Sequence, residues 1–144
     1  MYKKVICTLV LSLCLFKAVL TTERGSLKRF RQNGHISSHV LNLATGKPSP
    51  NVEAALYIKR NNDWVLVGRD ISNQDGRMNN FLNNSTLEEA TYKLVFETEN
   101  YYRSQNLETF YPQVLIYFKV ENNTQNFHVP LVMNQYGYST YRGS

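Results

Sequence analysis

The chain of 144 residues carries three histidines, His35, His39 and His128, and these set the first question about chemistry. With an unperturbed pKa of ~6.5, histidine is the side chain that most readily exchanges a proton near neutrality. Metal ligation is the first use to weigh, and the spacing speaks against it. On a strand rising ~3.3 Å per residue, His35 and His39 have Cα atoms about 13 Å apart, too far to share an ion with bonds near ~2 Å. No carboxylate completes a two-histidine, one-acid set, so neither a metal nor another cofactor is expected. Nucleophiles are scarce as well. Cys7 and Cys14 both precede residue 25, which leaves the body without a thiol, and neither a Gly-x-Ser-x-Gly elbow nor a glycine-rich phosphate loop appears. Arg77, in Gln74-Asp75-Gly76-Arg77, offers a permanently charged planar fork of donors. Taken singly, His39 and His128 are more often structural than catalytic, and Arg77 is by default a solvated turn residue.

The elements that must hold these residues are strands. Beyond residue 35 the pattern is runs of five to nine residues between turn-rich clusters, with hardly any helical periodicity. His35 to Leu43 alternates and ends at the turn Thr45-Gly46-Lys47-Pro48-Ser49-Pro50. Val52 to Lys59 and Trp64 to Arg69 flank Arg60-Asn61-Asn62-Asp63 as a hairpin, and Asp75-Gly76 marks another tight turn. Thr91 to Thr98 and Val114 to Glu121 follow, with Glu99 to Leu107 as one short helix between them. Phe127 to Met133 and Tyr138 to Arg142 complete an all-β, Greek-key sandwich of seven to eight strands. A side-chain period of two puts Phe127, Val129, Leu131 and Met133 on a core face, with His128 opposite. In the first strand Ile36, Ser38 and Val40 share one face, and Ser37, His39 and Leu41 the other. The end of the chain, Tyr138-Ser139-Thr140-Tyr141-Arg142-Gly143-Ser144, reads as a strand running to the last residue, whereas chain ends are usually charged or small.

Charge and the N-terminal segment bound the partners. Residues 1 to 35 hold seven basic residues and one acidic, net +6, while residues 36 to 144 hold nine basic and ten acidic, net −1. A neutral body gives no electrostatic reason to expect nucleic acid. Residues 1 to 24 have the layout of a signal peptide: a basic start, an apolar run from Val5 to Phe16 too short to span a bilayer, then Lys17. Cleavage is expected between Ala18 and Gly25, leaving a domain over 25 to 144 that is exported, to a periplasm or outside the cell, with no stable membrane span. Cys14 after Leu-Ser-Leu matches a lipidation acceptor only loosely. Asn84-Ser85-Thr86 and Asn122-Asn123-Thr124 are glycosylation acceptors if the host is eukaryotic.

Four blocks of the chain, in order, carry a resemblance. His35-Ile-Ser-Ser-His39-Val-Leu-Asn-Leu-Ala-Thr-Gly-Lys-Pro-Ser-Pro-Asn-Val52, Asp75-Gly76-Arg77, Phe127-His128-Val129-Pro130-Leu131 and Tyr136-Gly137-Tyr138-Ser139-Thr140-Tyr141-Arg142-Gly143-Ser144 are similar to the transthyretin-related family. The final Tyr-Arg-Gly-Ser resembles the signature that separates 5-hydroxyisourate hydrolases from the transthyretin carriers. The resemblance implies a transthyretin-like (prealbumin-like) fold and a metal-free hydrolase of urate and purine catabolism. Such an enzyme opens 5-hydroxyisourate to 2-oxo-4-hydroxy-4-carboxy-5-ureidoimidazoline. It further implies that His39, Arg77 and His128 are catalytic, that His39, Arg77, Tyr141, Arg142, Gly143 and Ser144 bind substrate, and that the protein is a homotetramer, a dimer of dimers with a central channel. One departure stands out: Asn126 occupies a position where many relatives have a histidine, and it cannot titrate.

The chemistry suits these residues. Opening a cyclic amide with water takes a base, a stabiliser for the developing oxyanion and an acid for the leaving nitrogen. Two histidines and an arginine supply all three, and the expected division has His39 with Arg77 preparing the water and His128 giving the proton. The competing reading is a carrier on the same fold, binding a small hydrophobic ligand in the tetramer channel. A carrier has no use for His39, Arg77, His128 and the terminal Tyr-Arg-Gly-Ser together. A non-catalytic exported interaction sandwich is the third.

Overall fold

The computed structural model describes residues 33–144. The signal peptide expected at 1 to 24, with Cys7 and Cys14, lies outside the described residues. Ten strands and one helix follow in order: β1 (Ile36–Asn42), β2 (Lys47–Pro48), β3 (Glu53–Arg60), β4 (Asp63–Ile71), β5 (Arg77–Met78), β6 (Ala90–Phe96), α1 (Thr98–Arg103), β7 (Val114–Val120), β8 (Phe127–His128), β9 (Leu131–Asn134) and β10 (Gly137–Thr140). They form two sheets. One runs β10-β9-β1-β2, with β5 and β8 also paired to β1; the other runs β4-β3-β6-β7. Among the described residues no helix is long and apolar enough to cross a membrane.

Alternation supplies much of the core, with consecutive burial at Ala54 to Leu56 of β3 and Leu94 to Phe96 of β6. Ile36 and Val40 of β1, Leu56 of β3, Leu94 and Phe96 of β6 and Leu131 of β9 are all fully buried. Each such side chain contributes about 1.5–3 kcal/mol by leaving water. Phe127, Val129, Leu131 and Met133 are buried as the period of two requires. The two-residue connection Asn61-Asn62 between β3 and β4 is a tight hairpin, and Asn61 adopts φ 53°, a conformation asparagine tolerates.

Several expected boundaries shift, each for a local reason. β2 and β5 have two residues each, too short for any periodicity to announce. The turn at Thr45 to Pro50 does not end the ladder outright, because Lys47 and Pro48 fold back to pair with Asn42 and Leu41. The strand expected over Phe127 to Met133 is interrupted at Val129 and Pro130. Proline has no N–H to donate, so the ladder breaks there while its register continues. For the same reason the terminal strand stops at Thr140 rather than Arg142, and Gly143 alone rejoins as a single bridge to His128. The helix ends at Arg103, not Leu107; Asn106 turns to φ 56° just beyond it.

Candidate active site

β1 is the axis of the site. Its own two edges hold the other two elements: β5 pairs antiparallel with His39 opposite Arg77, and β8 pairs parallel with Ser37 opposite His128. Residues directly opposite one another on neighbouring strands point to the same side, and Ser37 and His39 are two apart on one strand. Ser37, His39, Arg77 and His128 therefore project from one face of the sheet, the face turned away from the core. Met78, Ser38, Ile36 and Phe127, the alternating neighbours, all lie buried on the inner side. The two histidines are separated by about 7 Å along the strand direction.

Arg77 reaches this face through a built turn. Asn73 accepts hydrogen bonds at Oδ1 from the backbone N–H groups of Asp75 (3.0 Å) and Arg77 (2.9 Å), and its carbonyl accepts from Gly76 (2.8 Å). Gly76 has φ +74°, and a Cβ there would stand 2.4 Å from the Val40 carbonyl and 3.2 Å from His39 Cδ2. Glycine is needed for the turn to lie against β1 and set Arg77 beside His39.

His128 is held on three sides. Its Nδ1 lies 2.9 Å from Ser37 Oγ. Its carbonyl accepts from Gly143 N–H at 2.9 Å, and a Cβ on Gly143 would come within 2.4 Å of its Cδ2. The tail thus packs flat against the imidazole, which only glycine permits. Burial first, then the charge of Arg77 and the neighbouring His39 and His35, push the His128 pKa below its ordinary value. The imidazole is kept neutral at neutral pH. Nε2 of His39 is buried and has no hydrogen-bond partner among the described residues. A buried ring nitrogen left without a partner is uncommon and marks this position as one to explain.

The remaining site candidates belong to the tail. Tyr141 is exposed, and Gly143 sits against His128. The Arg142 guanidinium lies 5.6 Å from the ring centroid of Phe127 and donates to Gln125 Oε1 at 3.3 Å. A cleft of about 350 Å³ opens on that side between β7 and the tail, lined by Phe118, Phe127, His128, Tyr141 and Arg142 among others. His39 and Arg77 do not line it; His128 is the residue that the cleft and the histidine face share. Asn126 Oδ1 accepts from the His35 backbone N–H at 3.3 Å, a tie between β1 and the start of β8. Ser144 is exposed. Among the described residues no three His, Cys, Asp or Glu side chains cluster closely enough to hold a metal ion. Ser37 is the member of this face that spacing did not single out; its strand alternation with His39 was the available signal.

The family model for the HIUase/Transthyretin family matches residues 36–143. A probable 5-hydroxyisourate hydrolase of Caenorhabditis elegans is 43% identical over 130 residues, 90% of this chain and 96% of the relative. The solved 5-hydroxyisourate hydrolase of Klebsiella pneumoniae superposes with a TM-score of 0.64 at 28% identity, covering 77% of this chain and 94% of that one. Transthyretin of the fish Sparus aurata superposes with a TM-score of 0.70 at 16% identity, covering 75% of this chain and 95% of that one, a likeness of fold alone. The match spans both sheets and every residue of the histidine face, and on it the chain belongs to the HIUase/Transthyretin family.

Proposed function

We propose that this protein is a 5-hydroxyisourate hydrolase, opening the cyclic amide of 5-hydroxyisourate with water to give 2-oxo-4-hydroxy-4-carboxy-5-ureidoimidazoline. The observation that carries the reading is the register that sets His39, Arg77 and His128 on one face, with the terminal Gly143 packed on the His128 ring. The names of the relatives and of the Klebsiella structure point the same way. Water attacks the ring carbonyl carbon, and one histidine takes the water proton. Arg77, with its fixed charge, bonds the substrate oxygens as negative charge develops. The carbon–nitrogen bond breaks, and the departing nitrogen receives the proton. Tyr141 and Ser144 close over the substrate from the tail. The same reading takes the protein as an exported homotetramer, supported by the layout of residues 1 to 24 and by the resemblance to a dimer of dimers.

The test is the decay of ultraviolet absorbance of freshly generated 5-hydroxyisourate, with the protein, without it, and with His128→Asn. Decay accelerated by the protein and returned to the spontaneous rate by the variant is the expected result. Decay at the spontaneous rate with folded protein would overturn the reading in favour of a carrier.

A further inference from the structure

Ser37 is 7% exposed, and the His128 imidazole is the sole hydrogen-bond partner of its hydroxyl among the described residues, at 2.9 Å from Nδ1. A hydroxyl has one hydrogen to give, and inside a protein leaving it unbonded costs more than leaving a lone pair unbonded. The contact permits either direction, and the one that satisfies the hydroxyl hydrogen has Ser37 Oγ–H donating to Nδ1. Nδ1 then carries a lone pair and no hydrogen, and the single ring proton of neutral His128 belongs on Nε2. Other contacts hold the ring in that bond. The Ser37 carbonyl accepts from Val129 N–H at 2.9 Å, which locks the backbone of β1 to the residue after His128. Gly143 covers the far side of the ring.

We propose that Ser37 is a positioning residue that fixes His128 as the neutral Nε2–H tautomer, so that His128 serves as a hydrogen-bond donor to the developing oxyanion while His39 carries the proton. This rests on the proposed hydrolase reading. It also changes the division of labour expected from the residues alone, in which His128 gives a proton. A neutral imidazole that gave up its Nε2 proton would become an imidazolate, which is far too basic to form near neutrality. Donation without transfer avoids that, and the balance closes on the other histidine. His39 takes a proton from the attacking water as the carbon–oxygen bond forms, then returns it to the leaving nitrogen as the carbon–nitrogen bond breaks. Arg77 on β5, His39 on β1 and His35 just before it add to burial in favouring a neutral ring, while Arg142 of the tail and Lys119 of β7, the latter paired with Glu121, line the cleft beside it.

The experiment compares the full chain with Ser37→Ala and Ser37→Thr, by nitrogen-15 resonances of the His128 ring and by the pH dependence of 5-hydroxyisourate turnover. In the unaltered protein the Nε2 resonance is expected at the protonated position and Nδ1 at the unprotonated one. Ser37→Ala should mix the two tautomers and lower kcat about tenfold, the worth of one buried hydrogen bond, with KM little changed. Its acid limb should move to higher pH, because the bond that favours the neutral ring is gone. Ser37→Thr keeps the hydroxyl and should restore all three readouts. A protonated Nδ1 in the unaltered protein would overturn the proposal whether or not the chain turns over 5-hydroxyisourate. So would a Ser37→Ala variant, folded by its thermal transition, with the unaltered tautomer and pH profile. An inactive chain showing the Nε2–H tautomer, lost in Ser37→Ala, would overturn the hydrolase reading and leave the assignment of Ser37 standing.

Discussion

The two sheets of this sandwich are built to different rules. The four-stranded sheet is the more continuous: β3 and β4 run eight and nine residues with one register shift between Leu56 and Tyr57, β6 and β7 seven each, and β6 pairs with β7 at all seven positions. Its outer face is knitted by side chains, with Lys93 Nζ 4.8 Å from the ring centroids of both Tyr57 and Trp64, and Trp64 5.4 Å from Tyr117. The sheet around β1 has three strands of two residues, a break at Pro130 and a tail that rejoins through one glycine. Every residue of the histidine face belongs to the irregular sheet or its tail. A ladder that pairs at every position leaves no room for Gly76 to press on His39 or for Gly143 to lie on His128. Interruptions in the first sheet are what bring these groups together, while the longer strands β3 and β6 of the second sheet supply buried side chains against which the first packs.

The contrast can be broken most sharply by removing chemistry without touching packing. His39→Asn should lower kcat/KM by about 10²–10⁴-fold, the usual scale for losing an acid–base group, with the thermal midpoint nearly unmoved. A parallel fall in the thermal midpoint would mean that the residue is structural. The opposite cut is Leu56→Ala, at a fully buried position of β3. It should cost about 2–5 kcal/mol of stability in denaturant unfolding while the kcat of the remaining folded protein stays close to normal. A weaker probe of the same sheet is Lys93→Met, which should cost about 0.5–1 kcal/mol through the lost contacts with Tyr57 and Trp64 and leave turnover unchanged.

The smallest effect expected is in the behaviour under acid. His128 has its pKa depressed by burial, with Arg77, His39 and His35 adding to the shift. Between that value and the ordinary ~6.5, the folded chain binds fewer protons than the unfolded one, so stability falls as pH is lowered through this window. On the other sheet's side, Glu121 is held below its ordinary value by its bond to Lys119. The stability it adds is present above its unfolded pKa and is lost only as pH drops through the lower, folded one. Unfolding followed against pH should therefore show the loss linked to His128 at higher pH than the loss linked to Glu121, and His128→Asn should abolish the former alone.

Much of the fold was legible because alternation is a local property. The buried series Phe127, Val129, Leu131 and Met133, the Asn61-Asn62 hairpin and the positions of seven strands follow from a period of two and from turn chemistry within a few residues. The two-residue strands were not legible, since two residues carry no period. Yet β5 is the element that delivers Arg77. The histidines and Arg77 were visible as candidates by residue type, and their grouping was implied only by the resemblance. Strand parity puts Ser37 on the His39 face, and only the tertiary structure brings it to His128. Arg142 lies over Phe127, in the cleft it shares with His128 and Tyr141.

The amino-acid sequence by itself determined which faces of which strands could carry polar chemistry, because side-chain direction along a strand depends only on parity. It also determined that Gly76 and Gly143 stand where a backbone can pass close to something. Tertiary structure alone decided what that something is. His39 and Arg77 are 38 positions apart and His128 lies 51 beyond Arg77, and register across β1 is a non-local property set by how two sheets close on one core. That closure turns three scattered residues and a serine into one face.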